Sequence, residues 1–298
     1  MDQRQLGLAV LLGSFALAAS APAQQPARVE THDLGSGLAM LVGSGGNLGV
    51  SVGEDGVLLV DDQFARMTPA LREAVRALGG SGARFVLNTH WHGDHVGGNE
   101  SWARTGAVIV AHENVRARMR SDQWNALRQV TTKASPRAAL PIVTFDEGIR
   151  FHLNGHEIDV LHVDPAHTDG DSIVVFRHAN VIHAGDTYFN GLYPYIDVSS
   201  GGSVDGMIAA ADRVLGLCND ETRVIPGHGP LSDRQGLAAY RDMLVSIRNA
   251  VRSGIVKGRT ADQVVASKPS AAFDAKWGGG FLGPDDFVRI VHASLAGR

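Results

Sequence analysis

A single cysteine, Cys218, serves the whole 298-residue chain, so no intramolecular disulfide can brace the fold. Cys218 follows the helical-looking stretch Met207 to Leu217 and reads as a packing residue rather than a nucleophile. Aromatic residues make up 6% of the sequence and charged residues 19%. Acidic and basic side chains nearly cancel, at a formal net charge of −4, which leaves no basic footprint for nucleic acid. There is no Gly-x-Ser-x-Gly segment, the strand-to-helix elbow on which many hydrolases mount a serine nucleophile. Beyond the first residues, no run is apolar enough to span a bilayer, which takes about 20 residues.

What the chain does have is glycine, 36 residues of it, and 44% hydrophobic residues, a composition of tight turns around a well-packed core. Its start reads as an export signal. Met1 to Gln5 is short and polar, Leu6 to Ala19 is apolar, and Ala21-Pro22-Ala23 offers a small-residue cleavage site. The expectation is cleavage after Ala23, a linker over residues 24–37, and one domain over 38–298. An uncleaved N-terminal anchor is the alternative. The protein is expected in the periplasm or outside the cell, with no stable membrane span after cleavage.

Apolar runs predict strands at Leu38–Val42, Leu48–Val52 and Val57–Val60, divided by Gly45-Gly46-Asn47 and Glu54-Asp55-Gly56 as turns. Leu71, Val75 and Leu78 recur at helical spacing and predict a helix over Met67 to Leu78. Strands follow at Phe85–Leu87 and Val108–Ala111, then a helix over His112 to Leu127 and a loop over Thr131 to Pro141. The second half repeats the style. It has strands at Ile149–Leu153, Glu157–His162, Ser172–Phe176, Val181–His183 and Arg223–Ile225, and a helix over Val204 to Leu217 with Ser203 as N-cap. Helices over Asp233 to Arg252, Ala261 to Ala266 and Pro284 to Leu295 finish the chain. Meandering strands closed by helices predict two packed sheets with helices outside, an α/β sandwich of two similar halves.

The most informative stretch is Thr89-His90-Trp91-His92-Gly93-Asp94-His95, directly after a strand-like run. Alternation sends His90 and His92 to one side and Trp91 to the other. Gly93 lets the chain turn so that Asp94 and His95 face the same space. Imidazole and carboxylate are ligands that zinc accepts, and groups of this kind crowded together call for a cation. Three later positions stand at turns that end strand runs: His167 in Pro165-Ala166-His167-Thr168, Asp186 in His183-Ala184-Gly185-Asp186-Thr187, and His228 in Pro226-Gly227-His228-Gly229-Pro230. These seven can serve two metals. His90, His92 and His167 would take one, Asp94, His95 and His228 the other, and Asp186 would bridge.

This ordered set resembles the metallo-β-lactamase superfamily over roughly Val42 to Pro230. The resemblance implies a four-layer αββα sandwich with two zinc ions per chain at one edge between the sheets. It also implies that Asp61, at a strand end, supports the metal loop; a helix-start role is the alternative. The expected reaction is hydrolysis of an ester, thioester or amide carbonyl, lactone and β-lactam rings included, by a metal-activated hydroxide that Asp94 orients and whose proton Asp94 passes to the leaving group. Possession of both Asp186 and His95 resembles the family's general hydrolases, thioesterases and lactonases rather than a dedicated β-lactamase. Export weighs against a glutathione-thioester substrate. The partner implied is a small molecule.

Other readings stay open at this point: a β-lactamase proper, an iron-dependent persulfide dioxygenase, and a non-catalytic zinc module. His112, His162 and His183 read as structural, with His162 close enough in sequence to His167 to support it. The segment Tyr188 to Tyr195 could wall the site, with Asn190 and Tyr193 as donors to an oxyanion, or pack the sheet edge. The Gly43 to Asn47 loop could be a flap or a plain turn. The segment Lys276 to Phe281 could cover the site or make a dimer contact.

Overall fold

The computed structural model describes residues 28–126 and 128–297; the expected export signal lies outside the described residues. The first strands are β1 Glu30–Gly35, β2 Leu38–Val42, β3 Leu48–Gly53, β4 Gly56–Val60, β5 Ala83–Asn88, β6 Val108–His112, β7 Gln123–Asn125, β8 Val130–Thr132 and β9 Val143–Phe145. The rest are β10 Gly148–Leu153, β11 His156–His162, β12 Ser172–Phe176, β13 Val181–His183, β14 Arg223–Ile225 and β15 Ser232–Asp233. The helices are α1 Thr68–Ala77, α2 Gly93–Val96, α3 Asn99–Ala103, α4 Glu113–Met119, α5 Val204–Leu217, α6 Arg234–Val256, α7 Ala261–Ala266, α8 Asp274–Trp277 and α9 Pro284–Ala296.

One sheet has the order β1-β2-β3-β4-β5-β6-β9 and the other β10-β11-β12-β13-β14-β15, while β7 and β8 form a separate hairpin. In the first sheet β4, β5, β6 and β9 run parallel, and in the second β13 and β14 do. Strands buried on both faces read as unbroken apolar runs. In β4, Leu58 and Val60 enter the core between the sheets, where they meet Ile158, Val160, Val174 and Phe176. Val57 and Leu59 face outward against Leu71 and Val75 of α1 and Trp102 of α3. The far face of the second sheet packs Ile173, Ile182 and Val224 against Val204, Met207 and Val214 of α5 and Leu244 and Ile247 of α6. Each such side chain, fully buried, contributes about 1.5–3 kcal/mol. Helix, sheet, sheet and helix make the four-layer αββα sandwich.

Several segments differ from the expectation. Residues 30–35, inside the expected linker, form β1 and pair with β2 along the edge of the first sheet. The helix begun at Glu113 stops at Met119, and Gln123–Asn125 turns back to pair with Val130–Thr132. Trp124, inside the expected helix, is instead 53% exposed on this hairpin. Edge strands β9 and β15 are too short to carry a visible alternation. Ser203 caps α5 as expected, its Oγ accepting from the N–H of Gly206. Cys218 sits half-buried at the end of α5. Among the described residues, no helix is long and apolar enough to cross a membrane.

Candidate active site

Parallel strands align their carboxyl ends, and the loops leaving those ends share one edge of the sandwich. His90 and His92 follow β5, and Asp94 and His95 lie in α2. His167 stands between β11 and β12, Asp186 in a 3₁₀ turn after β13, and His228 just past β14. The structure brings all seven together. Ligand-capable atoms of His90, His92, His167 and Asp186 lie within 4.8 Å of one another, and so do those of Asp94, His95 and His228. Asp186 reaches both groups. Its Oδ1 is 3.1 Å from His95 Nε2, and its Oδ2 is 3.4 Å from both His167 Nε2 and His228 Nε2. Asp94 Oδ2 lies 3.4 Å from His228 Nε2 and 3.8 Å from His95 Nε2.

Each of four rings has its outer nitrogen engaged as a donor. His95 Nδ1–H donates to Asp61 Oδ2 at 2.8 Å, and His167 Nδ1–H donates to the Tyr195 carbonyl at 2.6 Å. Thr89 Oγ1 already donates to Asp61, so it accepts from His90 Nδ1 at 3.1 Å. His92 is turned the other way: Nε2–H donates to Asp197 Oδ2 at 3.0 Å, and Nδ1 faces inward. In the neutral rings the inward atoms are therefore lone pairs. His92 Nδ1 and His167 Nε2 face each other at 2.8 Å, and His90 Nε2 is buried with no hydrogen-bond partner. Acceptors converging in this way, each backed by a carboxylate, hydroxyl or carbonyl, fit a divalent cation with nitrogen and oxygen ligands.

Burial and charge set the ionisation of the metal-free site. Burial holds His90 well below its ordinary pKa and His167 down to about 4. Burial also works against the charged forms of His95 and His228, but Asp186 and neighbouring carboxylates overcome it and push His228 up to about 9. Asp94 resists the same burial because His95 and His228 keep its carboxylate ionised far below the usual range.

Asp61 is fully buried at the end of β4, where it accepts from the Thr89 N–H and Oγ1 as well as from His95. It thereby ties the histidine loop to the neighbouring strand. Two supporting carboxylates escaped the sequence reading. Asp197 orients His92 from 105 residues away. Asp171 accepts from the N–H groups of His167 and Thr168 and fixes the turn that presents His167. Asp171 stands four residues after His167 in a turn, a local signal that could have revealed it; Asp197 has no local signal at all.

His183 is structural: its Nε2–H donates to the Asn47 carbonyl at 3.1 Å and its Nδ1 accepts from the Gly185 N–H. His112 caps α4, and His162 stacks on it at 3.7 Å while donating to the Asp171 carbonyl, which places His162 behind the His167 turn. The Gly43 to Asn47 loop is pinned rather than flap-like. Gly46 donates to the Asp94 carbonyl and accepts from Gln63, and Asn47 donates to the carbonyls of Pro226 and Gly229.

Five of the seven, His92, Asp94, His167, Asp186 and His228, line a cleft of about 460 Å³, while His90 and His95 are buried. Phe189, Tyr195, Phe64, Phe281 and Trp91 wall it, with Asn125, Arg128 and Val130 of the β7–β8 hairpin overhanging. Asn190 and Tyr193 are not oxyanion donors: Asn190 Nδ2 donates to the Pro230 carbonyl, and the Tyr193 hydroxyl donates to Asp274. Trp91 belongs to a small cluster with Val96, Val115 and Met119, and its edge reaches the cleft. Phe281, 59% exposed, brings the C-terminal segment over the site.

Fold and site together define a class, an αββα sandwich with a histidine and aspartate cluster at one edge. The chain belongs to the metallo-beta-lactamase superfamily, whose sequence model matches residues 41–228, well over half of it. It is 28% identical over 160 residues to a hydroxyacylglutathione hydrolase of Nitrosococcus oceani, covering 53% of this chain and 52% of that one. It is 26% identical over 182 residues to the alpha subunit of a 2,4-dinitroanisole O-demethylase of Nocardioides sp., covering 59% of this chain and 50% of the relative. The chain thus spans about half the length of these curated relatives. Among solved structures, a metallo-beta-lactamase from Pontibacter korlensis superposes with a TM-score of 0.60 at 19% identity, covering 73% of this chain and 99% of that one. A stereoselective inverting sec-alkylsulfatase from Pseudomonas sp. superposes with a TM-score of 0.67 at 17% identity, over 89% of this chain and 50% of the other. Likeness at these identities is likeness of fold.

Proposed function

We propose that this chain is an exported, dinuclear zinc hydrolase that opens the carbonyl of an ester, thioester or amide, lactone and β-lactam rings included. One observation carries the reading: ring nitrogens and carboxylates from separate loops turn their lone pairs onto one floor, divided into two groups with Asp186 between them. His90, His92 and His167 would hold one ion, Asp94, His95 and His228 the other. Bound zinc supplies Lewis acidity and a water acidified toward about pH 7.

The rest of the chemistry belongs to the chain itself. Asp94 stays ionised at neutral pH and its carboxylate lines the cleft, so its Oδ2 is an acceptor for a proton from the attacking water. Delivery of that proton to the leaving group would complete turnover. Phe64, Phe189 and Phe281 exclude water from an apolar portion of the substrate. A cleft of this size suits a small molecule rather than a polymer. The hydroxyacylglutathione hydrolases among its relatives lend support to a thioester or ester substrate. Export rests on the apolar run Leu6 to Ala19 ahead of Ala21-Pro22-Ala23. Mass spectrometry of the protein from a periplasmic fraction should find a mature chain starting at Gln24.

The test is steady-state turnover by the zinc-loaded chain of a chromogenic cephalosporin, a nitrophenyl ester, a thioester and a lactone, with metal analysis and a His92→Ala control. The reading expects two zinc ions per chain and at least one substrate above about 10⁴ M⁻¹s⁻¹ in kcat/KM. One iron per chain, or no zinc-dependent turnover of any of the four, rejects it.

A further inference from the structure

We infer that Arg128 anchors an anionic group of the substrate, so that the natural substrate is a carbonyl compound bearing a carboxylate or similar anion; this rests on the hydrolase reading above. Arg128 is the one arginine or lysine among the described residues that line the cleft. Its guanidinium lies 4.4 Å over the ring of Tyr195, which fixes the plane of the group. Among the described residues no carboxylate forms an ion pair with it, and the carboxylates that share the cleft lining, Asp94 and Asp186, stand with the histidine cluster. A stacked guanidinium keeps its N–H edge available, and that edge matches a planar anion two bonds at a time.

The hairpin holds this position from below. Asn125 Oδ1 accepts from the Arg128 N–H at 2.9 Å, while Asn125 Nδ2 donates to the Tyr195 hydroxyl at 2.6 Å. The same Nδ2 lies 3.4 Å from Asp197 Oδ1, and Asp197 orients His92. The arginine is thus registered to the floor of the site through one side chain. Val130 and Phe281 line the same cleft with apolar surface. The site offers a cation at the rim, apolar walls, and the reacting centre at the floor. A substrate matched to it carries its anion at one end and its scissile carbonyl within reach of the other.

The test compares two nitrophenyl esters of equal length, the glutarate monoester and the pentanoate ester, in wild type, Arg128→Gln and Arg128→Lys, all zinc-loaded. The expected result is a preference for the anionic ester that falls about 10- to 100-fold in Arg128→Gln, with the loss in KM more than in kcat, and partial recovery in Arg128→Lys. A preference equal within twofold in wild type and Arg128→Gln overturns the anchor and leaves the hydrolase reading standing. Turnover of neither ester by the wild type would count against the hydrolase reading, and glutarate binding followed by tryptophan fluorescence then decides the anchor alone. Weaker glutarate binding by Arg128→Gln supports it; equal binding overturns it.

Discussion

The carboxylate of Asp197 lies 3.0 Å from Nε2 of His92, and this contact decides which ring nitrogen His92 presents to the site. His90, His95 and His167 present Nε2, so His92 alone presents Nδ1. Carboxylates placed behind metal-binding histidines fix ring orientation and raise ligand basicity.

Asp197→Ala should therefore weaken zinc binding about 10- to 100-fold. Competition with a chromogenic chelator would measure it. Unchanged zinc affinity would mean that ring packing alone orients His92.

Gly46→Ala tests the loop packed on His95. A methyl at Gly46 would overlap the His95 ring, which cannot swing away because Nδ1 is tied to Asp61. Overpacking of this kind costs about 1–3 kcal/mol. We expect a melting temperature lower by roughly 2–12 °C and reduced zinc content, read by calorimetry and metal analysis.

The metal-free chain should lose stability as pH rises from about 6.5 to about 9. The pKa of His228 is raised to about 9 in the fold, against burial, by Asp186 and Asp94, and His95 is raised as well. A raised folded pKa contributes stability that is complete below the unfolded value, about 6.5, and disappears as pH passes the folded value. His90 and His167 are shifted downward and act only below about 6.5. Denaturant melts of the chelator-treated protein across this range should show the fall, and His228→Gln should flatten it.

Phe281→Ala should change substrate affinity without much change in stability. The ring is 59% exposed, and its neighbours His228 and Phe189 each lie 6.3 Å away, centroid to centroid. Exposed sites of this kind usually shift stability by less than about 0.5 kcal/mol. The expected signature is a higher KM for substrates with an apolar group; an unchanged KM would put Phe281 outside the substrate's reach.

Much of the sandwich was legible in the sequence because buried strands write themselves as apolar runs. Val57–Val60, Ser172–Phe176 and Val181–His183 each lie inside a sheet. Short or exposed elements leave no such trace. Trp124 and Val130 sit on a hairpin whose side chains are mostly in solvent, so its residues could be mistaken for a helix and a loop. β1 escaped because its burial pattern is mostly exposed at the sheet edge.

By itself the sequence determined the ligand-capable residues: His90, His92, Asp94 and His95 are neighbours in the chain, and His167, Asp186 and His228 stand in short turns whose glycines and prolines are visible locally. Only the tertiary structure decided which atoms of those residues face inward. That choice depends on Asp61, Asp197 and the Tyr195 carbonyl, which approach from 34, 105 and 28 residues away. It decided also that Asn125 and Arg128 overhang the cleft while Asn190 and Tyr193 turn from it. The physical reason is range: alternation and turn chemistry act over a few residues, whereas a hydrogen bond that fixes a ring needs two distant loops to arrive within 3 Å or so of each other.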